Sequence, residues 1–98
     1  MSIGMMDIKK VFGLNLRRLR LPKGLSQEET ADLTELGRAQ ISSIERGQQN
    51  VTLHTIDRIS RVLKCDWGDL FDREAARSFA ASVTTKAPRR KPGPRRRR

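Results

Sequence analysis

Hydrogen-bonding side chains are concentrated between residues 38 and 46, where the sequence reads RAQISSIER. Ile41 and Ile44 are three residues apart, a spacing that places both on one inward face of a helix. The opposite face is then free of bulky apolar groups and rich in donors and acceptors. Such a face can bind another polar surface or can simply be hydrated. It consists of Arg38, Ala39, Ser42, Ser43 and Arg46.

Residues that usually perform catalysis or bind metal ions are scarce in this chain. Cys65 is the only cysteine and His54 the only histidine, so neither a disulfide within the chain nor a cysteine-based metal cluster is expected. The pair Glu28 and Glu29 is interpreted as negative charge at a helix N-terminus rather than as an acid–base pair. We therefore expect no enzymatic activity, no cofactor, no metal ion and no small-molecule ligand.

The formal charge of +10 is unevenly distributed over the 98 residues. Eight basic and no acidic residues lie between 86 and 98, which leaves 13 basic against 11 acidic residues in the other 85. An excess of basic residues favours nucleic acid or an anionic membrane surface as a binding partner, but the tail alone does not distinguish between these two partners. No apolar run is long enough to span a membrane, and the N-terminus lacks the long apolar segment of a signal peptide, so we expect a cytoplasmic protein, nucleoid-associated if its partner is DNA.

The chain predicts only helices. Residues 1–6 are interpreted as a flexible leader. A first helix of three to four turns is expected from Asp7, and Pro22 cannot continue it. The apolar residues that recur at helical spacing are Ile8, Val11, Phe12, Leu16 and Leu19.

Two short helices separated by a tight turn follow. Ser26 and Glu29 have the spacing of a capping box, which starts a second helix that runs to about Thr34. A break at 35–37 precedes a third helix over 38–46, and Gly47 is its terminating residue. Ala31 supplies the small residue that a close crossing of these helices needs. This arrangement is that of a helix-turn-helix.

The C-terminal half predicts two further helices and a tail. Thr52 is expected to cap a fourth helix, and Asp66 a fifth that starts at Trp67 and can continue through 72–81. The domain is therefore placed at 7–81. Residues 82–98 are predicted to be a disordered basic tail, because their prolines and arginines cannot form a core. The inward faces are assigned to Leu53, Ile56, Ile59, Val62, Leu63, Leu70 and Phe71.

The stretch from residue 24 to 53 resembles the helix-turn-helix of the Cro and phage-repressor class, often called XRE-like. The resemblance extends over roughly residues 9–71 and implies a compact five-helix bundle of the phage-repressor type. Thr30, Glu35 and Val51 depart from the family pattern at a leucine, a turn glycine and a proline. The matching residues are Gly24, Leu25, Ser26, Gln27, Glu28, Glu29, Ala31, Ile41, Ser42, Ile44, Glu45, Arg46, Gly47, Asn50, Thr52 and Leu53.

The resemblance implies that the third helix lies in the major groove of DNA. Arg38 is then placed to bond O6 and N7 of guanine, and Ala39 to contact a thymine methyl. Ser43 can reach a base or a phosphate, and Gln40 points sideways toward the DNA backbone. For Ser42, as for Ser43 and Gln40, plain surface polarity is nearly as good an interpretation as base contact.

The resemblance also supplies residues for the DNA backbone and a structural brace. Gln27, at the start of the second helix, corresponds to a phosphate-contacting glutamine. Arg46, Gln48 and Asn50 would hold the other side of the groove, although ordinary loop chemistry explains Gln48 and Asn50 equally well. Arg20 and Glu45 occupy the positions of a buried ion pair.

These features favour a dimeric transcriptional regulator, a repressor or autoregulator, on double-stranded DNA with an inverted-repeat operator. The dimer surface is expected from the fifth helix and residues 67–82. A restriction–modification controller, an antitoxin and a phage or plasmid repressor remain alternatives within that class. Outside it stand a tail-driven, non-specific architectural DNA- or RNA-binding protein and a protein-interaction module that does not bind DNA.

Overall fold

The computed structural model describes the backbone of residues 6–86 and the side chains of residues 6–83. In this range the chain is all-α, as predicted, with no strand. The leader up to residue 5 and the tail from residue 87 lie outside the described residues. The helices are α1 (Ile8–Arg20), α2 (Gln27–Thr34), α3 (Arg38–Glu45), α4 (Leu53–Leu63), α5 (Trp67–Leu70) and α6 (Arg73–Lys86).

The start of α2 is fixed by the predicted capping box. The Ser26 hydroxyl accepts from the Glu29 amide at 3.0 Å, and the Glu29 carboxylate accepts from the Ser26 amide at 2.9 Å. Just upstream, Gly24 adopts a left-handed φ of +72°, which lets the chain turn out of the 3₁₀ segment Leu21–Lys23. The capping box thus provides partners for two backbone amides at the start of α2 that would otherwise have none.

The turn between α2 and α3 contains a non-glycine residue in a left-handed conformation. Glu35 has a φ of +64°, where the family pattern has glycine, so the turn keeps the family shape at a backbone cost of about 1 kcal/mol. The Leu36 amide donates to the Ala31 carbonyl at 3.0 Å and closes the turn. The carboxylate of Glu35 lies 3.5 Å from the guanidinium of Arg58, which adds a partly exposed ion pair.

The core lies between α1, α3, α4 and α5, and buried polar groups near it are bonded. Thr30 is fully buried and its hydroxyl donates to the Ser26 carbonyl at 2.8 Å, one turn back. Thr34 repeats the pattern by donating to the Thr30 carbonyl at 2.7 Å. The largest buried apolar side chains are Phe12, Leu16, Ile41, Ile44, Ile59, Leu63 and Leu70.

Within residues 6–86 the structure has one more α-helix than the five expected, and its last helix continues beyond residue 81. Residues 72–81 do not extend α5, because the chain leaves the helical conformation at Phe71 and Asp72 begins a separate helix by accepting from the Ala75 amide at 3.0 Å. That helix, α6, continues to Lys86, so the segment 82–86 expected in the tail is helical. The bundle therefore has six α-helices within residues 6–86.

For one residue of α4, the predicted burial is also wrong. Leu53 is 70% exposed, because it is the first residue of α4 and its side chain lies outside the packed turns. Thr55 and Ser60, which the apolar pattern left out, are buried instead. The predicted caps are correct: Thr52 accepts from the Thr55 amide at 3.1 Å, and at α5 the Asp66 amide donates to the side chain of Asp69.

Gly13 allows α1 to lie directly against the end of α3. A Cβ at this position would lie 2.9 Å from the Glu45 carbonyl oxygen and closer still to that of Ile44. Both atoms are backbone, so no side-chain rotation could relieve the overlap. A second close approach joins Gly47, with a φ of +74°, to the backbone of Lys10. The sequence motifs gave no sign of the first of these contacts.

The Gly13→Ala variant should therefore lose about 2–3 kcal/mol of unfolding free energy, since α1 and α3 must separate to admit the methyl group. Gly68→Ala is the matched control, because a Cβ there meets no atom within 4 Å. The control should be unchanged or more stable by up to about 1 kcal/mol. Urea unfolding of both variants tests this, and equal midpoints would contradict the packing argument.

Candidate nucleic-acid interface

The first turn of α3 presents two of the predicted base-reading residues to solvent. Gly37 precedes it in an extended conformation, with a φ of −76°, so the helix begins abruptly at Arg38. Arg38 and Ala39 are both exposed. Within residues 6–83 the Arg38 guanidinium has neither a hydrogen bond nor an ion pair, so all five of its N–H donors are available to a ligand.

The other end of α3 carries a hydrogen-bonded set of three predicted site residues. The Arg46 guanidinium donates to the Ser42 hydroxyl, one turn back, and to the Gln48 side-chain oxygen at 3.3 Å. Arg46 and Gln48 are exposed and Ser42 is half-buried. The structure thus brings these residues together. Their mutual bonds orient Arg46 and use two of its five N–H donors, so three donors are left for phosphate oxygens.

Three predicted residues are not part of that set. Gln40 and Ser43 are half-buried on α3, and Asn50 is exposed in the α3–α4 loop. Asn50 lies on the rim of an open cavity of about 190 Å³, whose lining is mainly apolar and includes Phe12 and Phe71. Within the described side chains, Asn50 forms no hydrogen bond with the group around Arg46.

Gln27 is tied into a buried ion pair. The Arg20 guanidinium makes two bonds to the Glu45 carboxylate, at 2.5 and 2.9 Å, with the two side chains only 9% and 5% exposed. The same carboxylate accepts from Gln27 Nε2 at 3.0 Å. A carboxylate can only accept, so the Gln27 amide must turn its nitrogen toward Glu45. One N–H of that nitrogen remains for an outside partner, and the predicted Arg20–Glu45 pair is confirmed.

Sequence reasoning missed a second brace, formed by Arg58 of α4. Its guanidinium donates to the Thr34 carbonyl at 3.0 Å and faces Glu35, and its Nε lies 3.3 Å from His54 Nε2. The contacts hold the C-terminal end of α2 at the start of the turn. No side-chain pattern could have indicated this, because the principal partner is a backbone carbonyl 24 residues away.

Other reactive residue types show no catalytic arrangement within the described residues. Burial raises the pKa of the Cys65 thiol, and the carboxylates of Asp69 and Asp66 raise it further, so the thiol stays protonated and behaves as a small apolar group. No three histidine, cysteine or acidic side chains of that range lie together at a spacing that could hold a metal ion. Nor is any helix of that range long and apolar enough to cross a bilayer.

A helix-turn-helix family model matches residues 16–70, more than half of the chain. The matched range includes all of α2–α5, the buried ion pair and every predicted site residue. The chain therefore belongs to the Cro/phage-repressor (XRE-like) helix-turn-helix family of DNA-binding transcriptional regulators. Proteins of this family are in general regulatory and not enzymatic.

The particular relatives include several restriction–modification control proteins. Control protein C.BamHI of Bacillus amyloliquefaciens is 43% identical over 67 residues, which cover 67% of this chain and 83% of that protein. Control protein C.MunI of a Mycoplasma species is 44% identical over 68 residues, covering 68% and 92%. The crystal structure of the controller protein C.AhdI from Aeromonas hydrophila superposes with a TM-score of 0.62 at 43% identity, covering 64% of this chain and 96% of that one.

Removing the carboxylate at the centre of the brace should destabilise the whole domain. Glu45→Ala leaves the buried Arg20 charge unpaired, and we expect a loss of about 3–5 kcal/mol in unfolding free energy. Glu74→Ala is the matched control, since it breaks a pair with Arg77 in which the side chains are 82% and 55% exposed. The control should lose at most about 0.5 kcal/mol. A Glu45→Ala melting temperature equal to that of the control would contradict the brace.

Proposed function

We propose that this protein binds a specific double-stranded DNA sequence through α3 and thereby regulates transcription. In this proposal α3 enters the major groove, Arg38 bonds a guanine at O6 and N7, and Ala39 contacts a neighbouring thymine methyl. Ser42, Ser43 and Gln40 lie along the same helix and reach bases or the adjoining backbone. Base contacts made at defined positions on a rigid helix provide sequence preference.

The observation that supports the proposal is that Arg38 is exposed and has no partner within the described residues. An exposed arginine with no partner within the described residues stands on the first turn of a helix whose other end is fixed by a buried ion pair. Arg46 at that other end is already engaged with Ser42 and Gln48. The guanidinium of Arg38 is thus free to bind, while the helix that carries it is held in one orientation.

The contacts to the DNA backbone are assigned to the start of α2 and to the segment at the end of α3. Gln27 retains one amide N–H, and the α2 N-terminus beside it directs backbone amides outward, which suits a phosphate oxygen. Arg46, Gln48 and Asn50 are assigned to the phosphates across the groove. These contacts fix the register of the protein on DNA and do not themselves read the sequence.

We further propose a homodimer that recognises an inverted repeat. Trp67, the first residue of α5, is 38% exposed, so apolar area is available on α5 for a second copy. The dimer surface assigned to residues 67–82 would place the two α3 helices in successive major grooves, about 34 Å apart. Because several relatives are restriction–modification control proteins, we propose the same regulatory class for this chain.

The Arg38→Ala variant should keep its fold and lose its preference for one sequence. Removing a two-point guanine contact should reduce discrimination at that base pair by about 1–3 kcal/mol, which is roughly 5- to 150-fold in binding ratio. The measurement is selection of bound sequences from a random duplex pool, followed by binding of the selected and a mutated site. Arg61→Ala is the matched control, because Arg61 lies on α4, outside the assigned DNA and dimer surfaces, where it pairs with Asp57.

The same selection should be repeated with residues 87–98 deleted. An inverted repeat recovered from both the full-length and the shortened chain supports the proposed function. Loss of most affinity on deletion, with no sequence preference before it, would instead favour a non-specific architectural protein. Failure of the full-length protein to bind any duplex at low salt would favour a module that binds proteins.

A further inference from the structure

Helix α1 differs from the other helices of the domain in its charge. Its sequence, IKKVFGLNLRRLR, contains five basic residues and no acidic one. By contrast, α2 contains three acidic residues and no basic one. An uncompensated row of cations is unfavourable for a small domain unless the cations are paired or bind an anionic partner. The five residues are Lys9, Lys10, Arg17, Arg18 and Arg20.

Three of these cations have partners inside the domain. Arg20 is paired with Glu45, and Arg18 donates to the Asp69 carbonyl at 3.1 Å. Lys9 lies 4.0 Å from the carboxylate of Asp7, the residue that precedes α1. Their positions are therefore explained by contacts within the fold.

Lys10 and Arg17 have no such explanation. Both are exposed, and within the described side chains neither forms a hydrogen bond or an ion pair. They are seven residues apart, so on a helix of 3.6 residues per turn they lie within about 20° of each other and form one row. Gly13, which packs on the last carbonyls of α3, is about 40–60° away around α1. The row therefore borders the line along which α1 contacts α3.

Lys10 is also adjacent to the segment that follows α3. A Cβ on Gly47 would lie 3.0 Å from Lys10 Cα and 3.3 Å from its Cβ, so the two backbones are in contact. Gly47 stands between Arg46 and Gln48, which are assigned to DNA phosphates. A lysine side chain that starts there extends from the same edge of the molecule and carries its ammonium beyond the backbone.

We propose that Lys10 and Arg17 form a second phosphate-binding row on α1, which contacts the DNA backbone next to the groove that α3 occupies. This inference rests on the proposed function. The row continues the edge formed by Arg46 and Gln48, so a DNA strand that binds there passes along α1. Its contribution is electrostatic and independent of sequence, since each phosphate it neutralises releases condensed counterions.

The test is the salt dependence of binding to the selected duplex. Lys10→Gln combined with Arg17→Gln keeps a polar, unbranched side-chain stem at both positions and removes two charges. We expect the slope of log K against log salt concentration to become shallower by about 1.8, and the affinity at 0.1 M salt to fall about 50-fold. The ratio of affinities for the selected and mutated sites should not change. Each single variant should show about half of the change in slope, and thermal melting checks that the fold is kept.

Lys64→Gln is the matched control, because Lys64 is exposed at the C-terminal end of α4 and has no partner within the described side chains. Its slope should equal that of the unmodified protein. If wild-type protein binds the duplex and the double variant has an unchanged slope, the inference is overturned, and an acidic protein surface becomes the better partner for the row. An equal change in Lys64→Gln would also overturn it. Absence of binding by the unmodified protein would instead reject the proposed function itself.

Discussion

The ion pair between Arg20 and Glu45 joins three helix ends at a single carboxylate. Arg20 closes α1, Glu45 closes α3, and Gln27, which opens α2, donates to the same oxygen that Arg20 Nη2 binds. The third guanidinium nitrogen of Arg20, Nη1, donates to the Leu25 carbonyl at 2.9 Å. Because each buried charge is matched and bonded, the desolvation penalty of the pair is offset, and any movement of α3 against α1 or α2 would leave charge exposed to an apolar surrounding.

The ion pair fixes the orientation of α3 relative to α1 and α2, and close backbone contacts fix the distance between α1 and α3. Gly13 brings α1 onto the final carbonyls of α3, and Gly47 brings the following loop onto Lys10. At the opposite end of the motif, Arg58 holds the α2 terminus at the Thr34 carbonyl. The helix that carries Arg38 is therefore supported from three sides. These contacts lie on the inner side of α3, so its outer face stays exposed.

The distribution of charge separates affinity from specificity. Most of the net positive charge lies in the C-terminal 13 residues, and the rest of the chain is close to neutral. A polycation attracts any duplex, whereas a neutral domain with a defined donor set can prefer one sequence. Within the described part of the domain, Lys10 and Arg17 of α1 form an unpaired row of cations. They lie beside α3, where a contribution to affinity would not alter the reading of bases.

Local chemistry in the sequence determined the helix starts and most of the buried face. Ser26 with Glu29, Thr52 and Asp66 are caps whose partners lie within three residues, so a linear pattern contains all the information. The bonded Thr30 also follows from its neighbours. The ion pair of Arg20 spans 25 residues and could be predicted only through the family resemblance.

The tertiary structure decided the contacts that no periodicity encodes. The contact at Gly13 leaves no sequence pattern because it depends on a missing side chain, and the contact of Arg58 leaves none because its partner is a distant backbone oxygen. Leu53 was assigned inward by spacing, but it stands at the first position of α4, where no neighbouring turn covers it. At the break before α6, the ring of Phe71 packs on the distant Phe12, with ring centroids 5.3 Å apart. Residues close in sequence determine which helices form, and residues distant in sequence determine how those helices meet.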